Sequence, residues 1–198
     1  MGCARYLCQS PLVSLLACGV LALSTEAQAS LTTLQPTPAN LWGLDHNYYY
    51  TVGVNWVAPP GEELVSLTLT LADLDNWLQP EPLNHLYIRL LDSAYVPEGE
   101  TTWVTSHVDY EGTSTDAFAG QGILIADYTD LAPGAETLTF TVPAGALAWV
   151  ADGNFGIGFD PDCQYRNAGV SFHLMSLAPP ITVPAPAAGL LCAIGGAL

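Results

Sequence analysis

Two pairs of aspartates are the residues in this chain best suited by type and spacing to hold a metal ion. Asp73 and Asp75 follow one run of alternating apolar residues, and Asp160 and Asp162 follow another. Carboxylate oxygens are ligands that Ca²⁺ prefers, so the two pairs predict a calcium site if both lie at the same end of a β-sandwich. Asp also hydrogen-bonds its own backbone in turns after strands. Turn formation is therefore the alternative to calcium binding.

Aromatic side chains supply a second kind of candidate site. Tyr49, Trp77 and Tyr165 fall on polar faces or in loops of the alternating pattern. Flat rings in such positions can stack on sugar rings, which predicts a glycan-binding platform. The alternative is structural, because Trp and Tyr commonly bury their rings in a core and leave only the polar tip at its edge.

Sequence motifs for catalysis are absent. A nucleophilic Cys needs a partner His, and zinc hydrolases need closely spaced ligands, but the histidines are scattered: His46, His85, His107 and His173. No Gly-x-Ser-x-Gly, His-Glu-x-x-His or phosphate-loop motif occurs. Glycoside hydrolysis needs two opposed carboxylates, and the many acidic residues single out no such pair. We therefore expect a protein that is not an enzyme, with no catalytic residue.

The elements that position these residues are predicted to be β-strands. Apolar and polar residues alternate repeatedly, as in Tyr48-Tyr49-Tyr50-Thr51-Val52-Gly53-Val54-Asn55-Trp56, and helical periodicity does not recur. About eight candidate strands, separated by Pro- and Gly-rich turns, cover residues 48–56, 65–71, 86–90, 102–109, 123–125, 138–142, 155–159 and 170–174. Strands that each have one solvent-exposed face predict an all-β fold, a two-sheet antiparallel β-sandwich of jelly-roll type.

Two segments outside these strands and one strand carry further expectations. Residues 144–151 are expected to form a helical turn or a bulged connection, and residues 30–40 a lead-in strand or a flexible arm. Glycines in the strand before Asp160 would let another backbone approach closely.

Charge and composition narrow the classes of function. The 198 residues include 19 Asp and Glu against 3 Lys and Arg, which gives a net charge of −16. Such a surface repels phosphate backbones, so no nucleic-acid partner is expected, whereas neutral glycans and cations are compatible with it. Hydrophobic residues make up 50% and charged residues 11% of the chain. This composition is typical of a folded domain rather than a disordered one.

The N-terminus has the features of a signal peptide covering residues 1–29. An apolar run from Leu12 to Leu23 precedes Ala27 and Ala29, the small residues that a signal peptidase requires at its cleavage site. Ser30 is therefore expected to be the first residue of the mature protein. Lipidation at Cys18 is the alternative, but cleavage there would leave an apolar stretch on the mature side.

Cysteine usage follows from this processing. The mature domain, residues 30–179, keeps only Cys163, because the other cysteines lie in the signal or in the C-terminal tail. No internal disulfide is then possible. A lone cysteine is commonly a small buried hydrophobe, which predicts that Cys163 is a buried, unpaired thiol.

The C-terminal segment, residues 180–198, resembles a sorting signal. The block Val183-Pro184-Ala185-Pro186-Ala187-Ala188 and the apolar residues after it are similar to the tail of PEP-CTERM proteins, with Val183, Pro184 and Pro186 as its matching positions. The family pattern continues through a membrane-length helix to an arginine cluster. Here the apolar stretch from Ala187 stops at Leu198, short of the roughly twenty residues that span a bilayer. The tail is therefore interpreted as a truncated or a degenerate sorting signal, and a Pro/Ala/Gly-rich terminus without function is the alternative.

The resemblance carries implications for location and partners. It implies export by a Gram-negative bacterium, transient membrane anchoring through the tail and processing by an exosortase-type enzyme. It further implies a place at the cell surface or in a biofilm matrix containing exopolysaccharide. We therefore expect a non-catalytic surface or matrix β-sandwich. A secreted carbohydrate-binding module and a small secreted hydrolase are the alternatives.

Overall fold

The described residues form an antiparallel β-sandwich of ten strands. The computed structural model describes residues 28–77, 84–109, 115–131 and 134–179. Within these ranges the strands are β1 (Ala29–Leu34), β2 (Tyr48–Asn55), β3 (Glu63–Asn76), β4 (His85–Leu91), β5 (Thr102–Val108), β6 (Ile123–Thr129), β7 (Glu136–Thr141), β8 (Asn154–Pro161), β9 (Tyr165–Arg166) and β10 (Gly169–Leu177). Short 3-10 helices occupy Leu41–Gly43 and Ala144–Trp149.

The strands form two sheets with jelly-roll connectivity. The first sheet has the order β1-β10-β3-β7, with β9 paired to the end of β3, and the second has the order β5-β2-β8-β4-β6. Without β5 and β9, the two sheets have the orders β1-β10-β3-β7 and β2-β8-β4-β6, which are those of a jelly roll. Consecutive strands then lie in opposite sheets, except β4 and β6, which pair with each other. The prediction of an all-β, two-sheet antiparallel sandwich is confirmed.

The core lies between the sheets and follows the alternation of the sequence. On β8, Phe155, Ile157 and Phe159 are at most 1% exposed. Facing residues of the first sheet include Leu67, Leu69 and Leu71 on β3 and Val170, Phe172 and Leu174 on β10. Side chains at every second position of a strand point to the same face, so the local pattern is sufficient to build this interior.

Two strands extend beyond their predicted ends. Residues 72–76 continue β3 after a register shift between Leu71 and Leu74, where Asp73 takes a φ of 49°. Residues 160 and 161 belong to β8, which was predicted to end at residue 159. Both corrections have the same cause: each segment finds a pairing partner from a distant part of the chain, which turn-forming residues do not reveal.

Other expectations are confirmed. Residues 29–34 form β1, so the first part of the expected lead-in segment is a strand and not a flexible arm. Residues 144–149 form the expected helical turn. Cys163 is 5% exposed and forms no disulfide with the described residues, which confirms the buried, unpaired thiol.

The described chain starts and ends on neighbouring strands. β1 pairs with β10, so Ala29 lies opposite Leu177, and Ala178 N–H donates to the Gln28 carbonyl at 3.2 Å. Glu62 holds this end of the first sheet. Its Oε1 accepts from Ser30 Oγ at 2.9 Å and its Oε2 accepts from Ser176 Oγ at 2.6 Å.

Candidate functional site

One candidate site is a groove on the outer face of the second sheet. Two connecting segments lie across this face, residues 92–101 and residues 115–122. Glycines in the strands below make room for them. A Cβ on Gly53 would lie 2.5 Å from the Tyr95 carbonyl oxygen, and one on Gly158 would lie 2.8 Å from Phe118 Cε2. In the strand before Asp160, Gly158 thus admits the Phe118 ring rather than the backbone that was expected, and the close backbone approach is at Gly53.

The groove between the two segments has a volume of about 420 Å³, which is within the range of small-molecule sites. Strands β2 and β5 and the two segments all contribute to its lining, which consists of Tyr49, Thr51, Leu91, Ser93, Ala94, Tyr95, Thr105, His107, Ala117, Phe118 and Gln121. These residues include apolar, hydroxyl, amide and imidazole groups but no Asp, Glu, Lys or Arg.

Tyr49 is at the centre of an aromatic cluster in this groove. Its ring stacks on that of His107, with centroids 5.0 Å apart and planes 19° apart. It also meets the edge of the Phe118 ring at 5.2 Å. Tyr95 lies on the rim and is 72% exposed. The groove therefore has one partly covered ring inside and one free ring at its edge.

A part-buried ion pair fixes the segment that carries Phe118. Arg89 Nε donates to Asp116 Oδ2 at 2.6 Å, and both side chains are at most 15% exposed. Arg89 Nη1 also donates to the Gln121 carbonyl at 3.1 Å. Asp116 Oδ1 accepts the Phe118 N–H at 2.9 Å. One guanidinium thus holds both ends of the segment that forms this wall of the groove.

Asp160, on β8 of the underlying sheet, holds the same segment through a hydrogen bond. Its carboxylate is 1% exposed, and Oδ2 accepts the Ala117 N–H at 2.6 Å. Burial raises the pKa of Asp160 to about 7, and the charges of Asp109, Asp162 and Asp116 add to that rise, while the Ala117 N–H opposes it. Asp160 is therefore a support for the groove wall whose charge changes near neutral pH.

The structure does not gather the four predicted calcium ligands into one site. Asp73 is exposed in the bulge of β3. Asp75 lies opposite Arg166 in the backbone pairing of β3 with β9, in the first sheet. Asp160 and Asp162 are buried beside the second sheet, where Asp162 N–H donates to the His85 carbonyl. Within the described ranges no group of three His, Cys, Asp or Glu side chains is arranged to hold a metal ion. The geometry does not support the calcium hypothesis, which stays a prediction from the sequence.

The three residues predicted to contact a glycan lie in different environments. Tyr49 lines the groove. Trp77 is 54% exposed at the end of β3, where the Arg166 guanidinium lies 4.7 Å from its ring centroid. Tyr165 is fully buried, and its hydroxyl donates to the Asn84 carbonyl at 2.7 Å. The prediction of Tyr165 as a surface ring is wrong, because β9 adds it to the core.

Sequence reasoning missed most of the groove. Tyr95, His107 and Phe118 come from two connecting segments and an edge strand, and they meet Tyr49 only through the fold. Of the predicted processing residues, Ala29 begins β1. The others, Ala27, Val183, Pro184 and Pro186, lie outside the described residues.

Comparisons with known proteins add no family assignment. No protein-family model matches the chain, and no curated protein matches it either. Among the residues that the structure describes, no helix has the length and apolar character needed to cross a membrane.

Proposed function

We propose that this protein is a non-catalytic, exported β-sandwich of the cell surface or the extracellular matrix, and that it contacts neutral polysaccharide through the groove. The observation that carries the proposal is that the described residues lining the groove include no Asp, Glu, Lys or Arg, in a chain of net charge −16. Aromatic rings beside hydroxyl and amide groups suit sugar rings and their hydroxyls. A hydrolase would instead need opposed carboxylates at such a site.

The two ends of the sequence support the location. The N-terminal segment has the features of an export signal, and the Val183-Pro184-Ala185-Pro186 tail resembles that of proteins handled by exosortase-type enzymes. Transient anchoring through this tail would bring the domain to the envelope, and the groove would then hold the domain in the exopolysaccharide.

The second candidate function is a free secreted carbohydrate-binding module, which the same groove supports. Cell fractionation separates the two proposals. The matrix protein stays with the cell-surface or matrix fraction, whereas the free module is recovered in the medium.

Tyr95→Ala should weaken binding to a neutral polysaccharide by about two- to tenfold, because ring stacking contributes about 0.5–1.5 kcal/mol. Tyr49→Ala should weaken it further, since its ring also contacts His107 and Phe118. Affinity electrophoresis in gels containing a neutral glucan or galactan measures both effects.

Trp77→Ala is the matched control, because Trp77 is also exposed but does not line the groove. Equal losses for Trp77→Ala and Tyr95→Ala would mean that the groove is not the site. Unchanged migration of the wild-type protein in every neutral gel would contradict glycan binding itself.

The exported protein should begin at Ser30, with residues 1–29 removed. Cleavage after Ala29 leaves the new α-ammonium group on Ser30, whose hydroxyl already contacts the Glu62 carboxylate, so the mature N-terminus is electrostatically compatible with the fold. Intact-mass measurement of the exported protein checks this start, and Ala29→Arg should block processing. A mass corresponding to a start at Cys18, or to retained Met1, would overturn the expectation.

A further inference from the structure

A second concave site lies on the other face of β2 from the groove. Tyr48 and Tyr50 alternate with Tyr49 along the strand, so they point to the opposite side of the sheet. With Trp42, Asp45 and Ser106 they line a pocket of about 290 Å³. This volume is close to the lower end for small-molecule sites, about 300 Å³. The pocket would therefore take a small ligand or a small group of a larger one.

An unusual backbone presents Trp42 to this pocket. Leu41, Trp42, Gly43 and Leu44 all have positive φ angles, of 47°, 53°, 83° and 45°. Left-handed non-glycine residues are uncommon and costly, and they persist where the surroundings hold them in place. Here Leu41 and Leu44 are fully buried, while Trp42 between them is 55% exposed. The buried leucines thus hold the indole at the surface.

Three aromatic rings surround the pocket. Tyr50 has its ring centroid 6.3 Å from that of Trp42 and 6.4 Å from that of Tyr48. Tyr50 is 2% exposed, and burial raises its pKa to about 12, which keeps the phenol neutral. Its hydroxyl accepts the Asp45 N–H at 2.9 Å. This bond joins the ring cluster to the one acidic residue in the lining.

Asp45 places a negative charge beside the rings. Its Oδ1 accepts from the Asn47 backbone N–H at 2.9 Å and from Asn47 Nδ2 at 2.7 Å, which orients the carboxylate. His46 Nδ1 lies 3.7 Å from the same oxygen. The two arginines of the described residues are engaged elsewhere, Arg89 with Asp116 and Arg166 over Trp77. No Lys or Arg lines the pocket.

We propose that this pocket binds a small organic ammonium ion carrying methyl groups, such as a trimethylammonium group. Aromatic faces attract such a cation through their quadrupoles, Trp most strongly, and a carboxylate adds direct charge attraction. The net charge of −16 raises the local concentration of cations further. A neutral sugar would gain nothing from the carboxylate's charge. The site is separate from the groove and does not depend on glycan binding there.

Titration of the purified exported protein with choline, followed by NMR chemical shifts at pH 8, tests the proposal. We expect saturable, millimolar binding that shifts the indole signal of Trp42. The neutral isostere 3,3-dimethylbutan-1-ol has the same shape without the charge, and it should bind at least about tenfold more weakly. Glycine betaine should also bind more weakly than choline, because its carboxylate meets Asp45 and no cation.

Variants separate the ring and charge contributions. Trp42→Ala should weaken choline binding at least about tenfold, Trp42→Phe less, and Asp45→Asn about threefold or more. Trp103→Ala is the control, since Trp103 is 43% exposed on β5 but does not line the pocket. Thermal melts identify any variant that fails to fold, and the isostere comparison on the wild-type protein needs no variant.

Several outcomes would overturn the proposal. Equal binding of choline and its neutral isostere would show a merely apolar pocket, and competition by a neutral sugar would show a sugar site. No shift at 100 mM choline would show no site at all. Vesicles of phosphatidylcholine distinguish the sources of the ligand: capture of the protein indicates a lipid headgroup, whereas binding of choline without capture indicates a free ion.

Discussion

Arg89→Ala should lower the free energy of unfolding by about 2–4 kcal/mol, somewhat less than removing one partner from a fully buried ion pair, because this pair is part-buried. The substitution leaves the Asp116 carboxylate, 10% exposed, without its guanidinium. Asp116 already lies close enough to Asp160 for the two charges to repel. The segment that carries Phe118 also loses the bond from Arg89 to the Gln121 carbonyl. Urea denaturation monitored by tryptophan fluorescence measures the loss.

The other arginine of the described chain provides the control. Arg166 is exposed, and its guanidinium lies over the Trp77 ring, so Arg166→Ala should cost only about 0.5–1 kcal/mol. Adding Asp116→Asn to Arg89→Ala should restore part of the stability, because no unpaired charge is left buried. Similar losses for the two arginine variants would show that the Arg89 pair contributes no more than a surface contact.

Asp160→Asn should make the protein more stable at pH 8 and leave its stability unchanged near pH 4. The ordinary pKa of this carboxyl is 3.8, and burial raises it to about 7 in the folded state. Between these values the folded state binds the proton more tightly than the unfolded state does. The contribution of Asp160 is therefore fully present below about pH 4 and is lost as the pH rises through about 7.

The expected gain for Asp160→Asn at pH 8 is about 2–4 kcal/mol, since each pKa unit corresponds to about 1.4 kcal/mol. The Asn carbonyl can still accept the Ala117 N–H, so the hydrogen bond to the groove wall is kept. Thermal and urea melts from pH 4 to pH 8 give the difference between the variant and the wild type.

Asp92→Asn controls for the general relief of negative charge, because Asp92 is exposed just after β4. It should change stability by less than about 0.5 kcal/mol. A gain for Asp160→Asn that is the same at every pH would mean that the carboxyl does not titrate in this range.

Local residue patterns were sufficient to predict the class of fold. Alternation of apolar and polar residues is a property of neighbours in the chain, and in a strand it decides which side chains enter the core. Tyr50, Ile157 and Phe172 are buried as their alternation indicates. Cys163 could be predicted as an unpaired thiol because cysteine counting also needs no tertiary information.

The sites depended on contacts that are distant in sequence. Tyr49 meets His107 and Phe118 because β5 pairs with β2 and residues 115–122 lie over the outer face of the sheet. Tyr165 becomes a core residue, and Asp160 a buried support, only when strands from elsewhere in the chain pack beside them. Residue type alone assigned these side chains to the surface. Their burial, and hence the pKa of Asp160 and the shapes of both pockets, is determined by which strands become neighbours, and the alternation within a single strand does not encode that pairing.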